Sequence, residues 1–360
     1  MGSIQGITLG LLLIILNRRK YRSTLFLGFF LFFFSLELVY WIFKNPAMVE
    51  IYPKLLLLPF NFAWLLFPLF FIYTQQVSVL SKEKTKYWLL IPGIISFLAQ
   101  VFIFWLPYET RQVIAESYWH KLLFWDLGDY YSWIIAIWNL WLLYRHKIEV
   151  RNSYSYIAHK ELQWARVFLV YLLTISIISH LLSHGYLKYF FENNTVFAVM
   201  DLIAIYWAAY RGILQRNVHS VIDHERNSIN TTEKYDTQKQ SPAMDSVRLG
   251  ELMDKIEDFM ATSESFTDPN LTVVNVAEGI KVHPRLISTT INSQSKQNFN
   301  SYVNQLRIKK AEKLLKEQKG ANWSMEGIGS EAGFKSKSAF YAAFKKQMGT
   351  TPTRYKELSE

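Results

Sequence analysis

Ten side chains near the C-terminus have the types and spacing to read a polyanion that carries ordered bases. Arg285, Ser288, Thr289 and Asn292 recur at helical spacing behind His283-Pro284, and Lys337, Ser338 and Tyr341 do so behind Ser336. Guanidinium, hydroxyl and amide groups on one face of a short helix can exchange hydrogen bonds with base edges in a major groove. Lys335, Lys345 and Lys346 lie where ammonium groups would meet phosphates, the salt-sensitive part of such binding. Residues 281–360 hold fifteen Lys/Arg against six Asp/Glu, a surplus of nine in a 360-residue chain of net charge +10. The alternative is a helical protein-interaction module with a solvated lysine face, which Lys309, Lys310, Lys313 and Lys316 fit equally well.

A second group draws its chemistry from its surroundings. Glu37, Asp126, Asp129, His180, His184 and Asp201 interrupt strongly apolar stretches. Ionisable groups in hydrocarbon are costly and mark functional sites. Glu37, Asp126, His180, His184 and Asp201 are therefore the candidate ligand-sensing set, a polar cavity in which a small molecule or proton could bias two packings of a bundle. The blander reading makes Asp129 and His184 interfacial and pairs Glu37 and Asp201 with polar neighbours. No H-E-x-x-H, no glycine-rich phosphate loop and no nucleophile beside a His and a carboxylate occur. The chain has no Cys, which excludes disulfides, thiolate metal sites and cysteine nucleophiles. No catalytic residue, metal site or cofactor is assigned, and the chain is not read as an enzyme.

The elements that must carry these groups differ between the two halves. Seven apolar segments approach the ~20 residues of helix that cross a bilayer: Met1–Leu16, Ser23–Phe43, Leu55–Tyr73, Tyr87–Leu106, Leu122–Tyr144, Val167–Tyr186 and Thr195–Ile213. The first is read as an uncleaved helix, because its positive cluster follows the apolar run and no small-residue cleavage site is evident. Odd-numbered connections hold Arg18, Arg19, Lys20, Arg22, Lys82, Lys84, Lys86, Arg145, Lys147, Arg151, Lys160 and Arg166. Even-numbered ones hold Lys44, Lys54, Arg111, Lys121 and Lys188. Lys and Arg are retained on the cytoplasmic side, so the bias places the N-terminus outside and the basic module in the cytoplasm of a bacterium.

From Gln215 the chain turns polar, and residues 215–245 read as a flexible linker. Order resumes near Ser246, where Leu249, Leu252, Met253, Ile256, Phe259 and Met260 form one apolar stripe. Thr272 can cap a helix whose turn Gly279 permits, and Pro284 opens the next with Ile287 and Ile291 inward. A connecting helix from Phe299 to about Glu317 would bury Tyr302, Val303, Leu306, Ile308, Ala311, Leu314 and Leu315. A second helix-turn-helix follows: Met325, Ile328 and Ala332, the turn Gly333-Phe334, the cap Ser336, then Lys337 to Met348 with Phe340 and Phe344 inward.

These residues resemble the AraC/XylS family of transcriptional regulators. The resemblance lies in Gly333-Phe334, Phe340, Phe344-Lys345-Lys346, Gly349, Thr351-Pro352 and Tyr355, with Phe299, Tyr302, Arg307, Ala311 and Leu315 of the connecting helix in register. It covers about 110 residues from Leu249 onward and implies sequence-specific promoter binding by two recognition helices. Gly329 stands where the family usually has Ala, which would loosen that helix, and His283 where a Ser cap is common. By architecture, the apolar half resembles membrane-bound members of the same family.

The fold class expected is all-α: a polytopic transmembrane bundle of about seven helices over 1–214, a linker over 215–245 and an AraC-type domain with two helix-turn-helix units over 246–360. The expected partners are double-stranded promoter DNA, the lipid bilayer, an unknown small-molecule or envelope signal and a second copy of the chain. The expected location is the bacterial inner membrane. The rival reading is a seven-helix receptor or transporter whose C-terminal module acts through a protein partner.

Overall fold

In the computed structural model the described residues are 2–15, 23–43, 51–80, 84–158, 160–185, 196, 199–215, 246–316 and 323–359. They are helical, with one isolated antiparallel bridge, Tyr154 to Thr272, as their β pairing. Of the expected linker, Gln215 is the last residue of a helix over 199–215, and 216–245 lie outside the described residues. Two compact units are present: Met1–His146 with Leu162–His224, and Lys147–Glu161 with Glu225–Glu360. The segment 147–161 thus belongs with the C-terminal unit.

The first unit holds α1 (Gly2–Ile15), α2 (Ser23–Phe43), α3 (Leu66–Val77), α4 (Ile91–Phe104), α5 (Tyr108–Glu116), α6 (Tyr118–Lys121), the start of α7 (Leu127–Ser153), α8 (Gln163–Ser183) and a helix over 199–215, here α9. Phe30, Phe70 and Phe168 meet at 5.3–5.7 Å between ring centres and form the middle of its core. Two stretches, Tyr87–Phe104 and Gln163–Ser183, are long and apolar enough to cross a membrane among the described residues; Ser3–Ile15 and Thr24–Tyr40 are apolar but shorter.

The third expected segment is corrected. Leu55–Tyr73 is not one helix: a 3₁₀ turn covers Pro53–Leu55, irregular chain follows, and α3 begins only at Leu66. Pro59 disfavours helical backbone at Leu58, Leu57 adopts a left-handed φ of 58°, and Asn61 Oδ1 accepts from the Ala63 N–H at 3.0 Å.

Polar side chains in this unit point inward. On α4 the buried residues are Gly93, Ser96, Gln100 and Ile103, while Ile91, Ile94, Ile95, Leu98 and Phe102 are exposed. That is the reverse of a helix on a water-soluble core. Inside, Thr74 Oγ1 donates to Asn139 Oδ1 at 2.7 Å, and Ser78 Oγ lies 3.2 Å from His146 Nδ1.

The second unit holds α10 (Ser246–Ser263), α11 (Val273–Gly279), α12 (Pro284–Ser295), α13 (Phe299–Lys316), α14 (Met325–Glu331), α15 (Lys337–Met348) and α16 (Pro352–Ser359). The two halves of α13 feed two separate cores. Phe299, Tyr302 and Val303 pack with α10, α11 and α12 around Ile256, Val276, Ile287 and Ile291. Ile308, Ala311 and Leu315 pack with Ile328, Phe334, Phe340 and Phe344. Leu306 and Leu314 are only half-buried. Arg307, between the two halves, is buried instead.

Candidate nucleic-acid interface and polar cluster

Caps fix where α12 and α15 begin. His283, with extended backbone, accepts the Arg285 N–H on Nδ1 at 3.2 Å, so the imidazole does the work expected of Ser. Ser336 Oγ accepts from Ala339 N at 3.3 Å. Thr272 and Asn275 exchange bonds in a capping box at α11, and Ser324 caps α14, which the sequence reading had not singled out. A lost cap of this kind costs about 1 kcal/mol.

Two glycines make room for aromatic rings. Gly279 closes α11, and the left-handed residue in the following turn is Lys281, φ 56°. A Cβ at Gly279 would lie 2.3 Å from Phe259 Cε2, so its role is close approach of α10. The bare Cα of Gly329 lets Phe340 approach, and a Cβ there would meet Phe340 Cγ at 2.9 Å.

On α12 Arg285 and Thr289 are exposed and Ser288 and Asn292 half-buried. Asn292 Nδ2 reaches Asn152 Oδ1 at 3.5 Å. On α15, Lys337 and Ser338 are exposed, Tyr341 is half-buried and Lys345 and Lys346 are exposed. Lys337 Nζ lies 5.7 Å from the Tyr341 ring centre, and the Tyr341 hydroxyl is 2.9 Å from Thr353 Oγ1. Lys335 Nζ donates to Asn270 Oδ1 at 3.0 Å and lies 5.1 Å from the Tyr156 ring centre. Lys310 and Lys316 are paired with Glu264 and Glu312, at 2.8 and 2.7 Å.

Arg307 holds the unit together between its cores. Nε donates to Phe266 O and Nη2 to Asp268 O, both at 2.7 Å, and the guanidinium faces the Phe334 ring. Burial pushes its pKa down to about 10, so it stays charged at neutral pH. The sequence showed this residue only as part of a family register.

In the first unit, three of the five sensing residues come together. A π turn, Leu122–Asp126, precedes α7, and the carbonyls there accept side chains of the irregular 56–65 chain: Asn61 Nδ2 donates to Phe124 O at 3.1 Å and Trp64 Nε1 to Leu123 O at 3.0 Å. Such turns interrupt helices at functional sites. The turn delivers Asp126, and Asp129 follows on α7. His180 and His184 lie at i and i+4 near the end of α8, their rings 4.4 Å apart. His180 Nδ1 is 2.8 Å from Asp129 Oδ2, and His184 Nε2 is 3.5 Å from Asp126 Oδ1. Asp201 is elsewhere, accepting the Tyr171 hydroxyl at 2.7 Å, and Glu37 Oε2 is enclosed with no hydrogen-bond partner.

Residues 276–357 match a model described as a helix-turn-helix domain. Over 93 residues the chain is 30% identical to the melibiose operon regulatory protein of Escherichia coli strain K12, and equally to that of E. coli O6:H1. The match covers 26% of this chain and spans 30% of the length of those relatives. No solved structure matches. The C-terminal part of the chain thus holds a helix-turn-helix domain, which points to a DNA-binding transcription regulator.

Proposed function

We propose that the chain is a membrane-embedded one-component transcription regulator. The C-terminal unit binds promoter DNA through two recognition helices, under control of a signal received in the N-terminal unit. The observation that carries the DNA half is the exposed N-terminal part of α15: Lys337 and Ser338 face solvent beside Tyr341, on a helix whose opposite side buries Phe340 and Phe344. Base readers are Arg285, Ser288, Thr289, Asn292, Lys337, Ser338 and Tyr341; Lys335, Lys345 and Lys346 meet phosphates. At 18 residues, α13 is ~27 Å long, close to the ~34 Å between successive major-groove faces.

The membrane half of the reading rests on α4, which turns isoleucine, leucine and phenylalanine outward and Ser96 and Gln100 inward. Seven helices lie in the inner membrane with the N-terminus outside, in keeping with the loop charges. Pairing of two chains through the bundle would add affinity by effective concentration.

The test is selection of binding sites from a random duplex pool by the Ser246–Glu360 fragment at two salt concentrations. A Lys337→Ala/Ser338→Ala/Tyr341→Ala variant runs alongside. One enriched site, lost in the variant, is the expected result. A folded fragment that enriches nothing would refute the DNA half and favour a receptor acting through a protein partner.

A further inference from the structure

The polar cluster at the start of α7 and the end of α8 has the donor set of a metal centre. Among the described residues, Asp126, His180 and His184 each offer a ligand atom within 4.8 Å of the others. We propose that these three residues bind a divalent transition metal ion of the Zn(II) class, with Asp129 as the positioning residue behind His180. The proposal deepens the sensing role given to this cluster and rests on that reading only for the consequence of binding, not for the binding itself.

The hydrogen bonds fix the tautomer of each ring. His184 Nδ1 is 3.0 Å from the His180 carbonyl oxygen, which can only accept, so Nδ1 carries the proton and Nε2 keeps its lone pair. Ser183 Oγ donates to the same carbonyl at 2.8 Å and lies 3.1 Å from His184 Nδ1, consistent with that tautomer. His180 Nδ1 faces the Asp129 carboxylate, also an acceptor, which leaves Nε2 of the second ring as its lone-pair nitrogen. A carboxylate behind a ligating imidazole is the usual way a protein fixes ring orientation and raises ligand basicity at a metal.

The remaining geometry points the same way. Asp126 is buried, and its Oδ1 has no hydrogen-bond partner. Its 3.5 Å distance to His184 Nε2 is too long for a good hydrogen bond. It is close to the edge of a tetrahedron with metal–ligand bonds of ~2.0 Å, which is about 3.3 Å. Two imidazoles and one carboxylate, with no thiolate in the chain, suit zinc-like ions, and three protein ligands leave a fourth position open. Tyr130 and Trp133 stand at 5.4 and 5.2 Å from the His180 ring centre and wall one side. The π turn explains why Asp126 is aimed here: its carbonyls are held by Asn61 and Trp64 rather than by a regular helical ladder.

The experiment uses the full-length chain in lipid nanodiscs, titrated with Co(II) and then with Zn(II). A saturable visible ligand-field band of tetrahedral Co(II), displaced by Zn(II), is expected. Asp126→Asn and His184→Ala should abolish it, while His283→Ala, in the other unit, should leave it intact. Asp129→Asn should weaken affinity by roughly 10- to 100-fold while keeping a band. Helical content of each variant, followed by circular dichroism, separates loss of the site from loss of the fold. Absence of a saturable band in the folded wild type, or an unchanged band in folded His184→Ala, would overturn the proposal. The same nanodiscs are assayed for binding to the selected DNA. A normal band with DNA affinity unmoved by metal would uphold the site and remove the ion as the signal.

Discussion

Arg307 Nη2 donates to Ser155 Oγ at 3.1 Å, joining the helix between the two helix-turn-helix cores to a residue 152 positions earlier in the chain. The same guanidinium holds the carbonyls of Phe266 and Asp268. A substitution that keeps the bulk but removes the donors, Arg307→Met, leaves the half-buried Phe266 carbonyl without its partner, while Asp268 O still accepts from the Leu271 N–H at 3.1 Å. At roughly 1–3 kcal/mol for an acceptor left unsatisfied, the loss should be about 1–3 kcal/mol. Urea unfolding of the C-terminal fragment measures it. Arg307→Lys has the charge but not the fork of donors, and should recover only part.

Ser155 makes two further connections within the same unit, and its neighbour Tyr154 makes a third. The Ser155 N–H donates to Leu271 O at 3.1 Å, its carbonyl accepts from Asn300 Nδ2, and Tyr154 pairs with Thr272. A peptide of residues 147–161 added to the Ser246–Glu360 fragment should therefore raise its melting temperature in a concentration-dependent way. A Ser155→Pro peptide should do so much less. Because Asn152 and Tyr156 touch Asn292 and Lys335, the wild-type peptide should also weaken DNA binding by the fragment. Fluorescence anisotropy with and without peptide decides it.

Two glycines of the second helix-turn-helix should respond unequally to a methyl group. At Gly333, φ is +94° and an added Cβ would lie 2.6 Å from Thr267 Cα, backbone that cannot swing away. At Gly329 the clash is with the Phe340 side chain, which is buried but has some freedom. Gly329→Ala should cost about 1–3 kcal/mol as overpacking. Gly333→Ala should cost more, since strain at positive φ adds to the clash. Comparing the two by denaturant midpoint tests the order.

What the sequence made legible is what local chemistry determines. Thr272, Ser336 and Pro284 are cap and first-turn residues, and Ile287, Ile291, Phe340 and Phe344 sit at helical spacing, so both helix-turn-helix units could be read without long-range information. The burial of Arg307 could not, because its partners at Phe266, Asp268 and Ser155 are brought to it only by tertiary packing. The same holds for Gly279, read as a turn residue but required by Phe259. In the apolar half, hydropathy located helices but misjudged where α3 starts, since Leu56 to Leu58 are apolar without being helical. His180 and His184 were legible as a pair four apart. Asp126 joined them only through the π turn, which has no periodicity signal of its own.

A carboxylate couples the end of α13 to α16 and should make the domain acid-sensitive. Glu312 Oε1 accepts from Lys316 Nζ at 2.7 Å and from the Tyr355 hydroxyl at 2.8 Å. The Lys316 bond, then the Tyr355 bond, hold its pKa below the ordinary 4.5. A carboxyl group with a depressed folded pKa adds stability that is present above its unfolded pKa and lost as pH falls through the folded one. Melting temperature should thus fall as pH drops below about 4.5. Glu312→Gln should flatten that part of the profile. Since Lys316 is largely exposed, the effect is small and should shrink in salt.

The division of labour on α15 gives the sharpest test of the DNA reading. Lys345 and Lys346 are exposed in the last turn of that helix, away from Lys337 and Ser338 in its first turn. If the late lysines meet phosphates, Lys345→Ala should weaken binding to all sequences alike and lower the slope of log affinity against log salt by about 1. If the early residues meet bases, Ser338→Ala should leave the slope nearly unchanged and lower affinity for the selected site relative to a scrambled one. A loss of about 1–3 kcal/mol of discrimination is the scale of one good base contact. Equal effects of the two substitutions on the salt slope would mean that the helix is not seated in the groove by its N-terminal half.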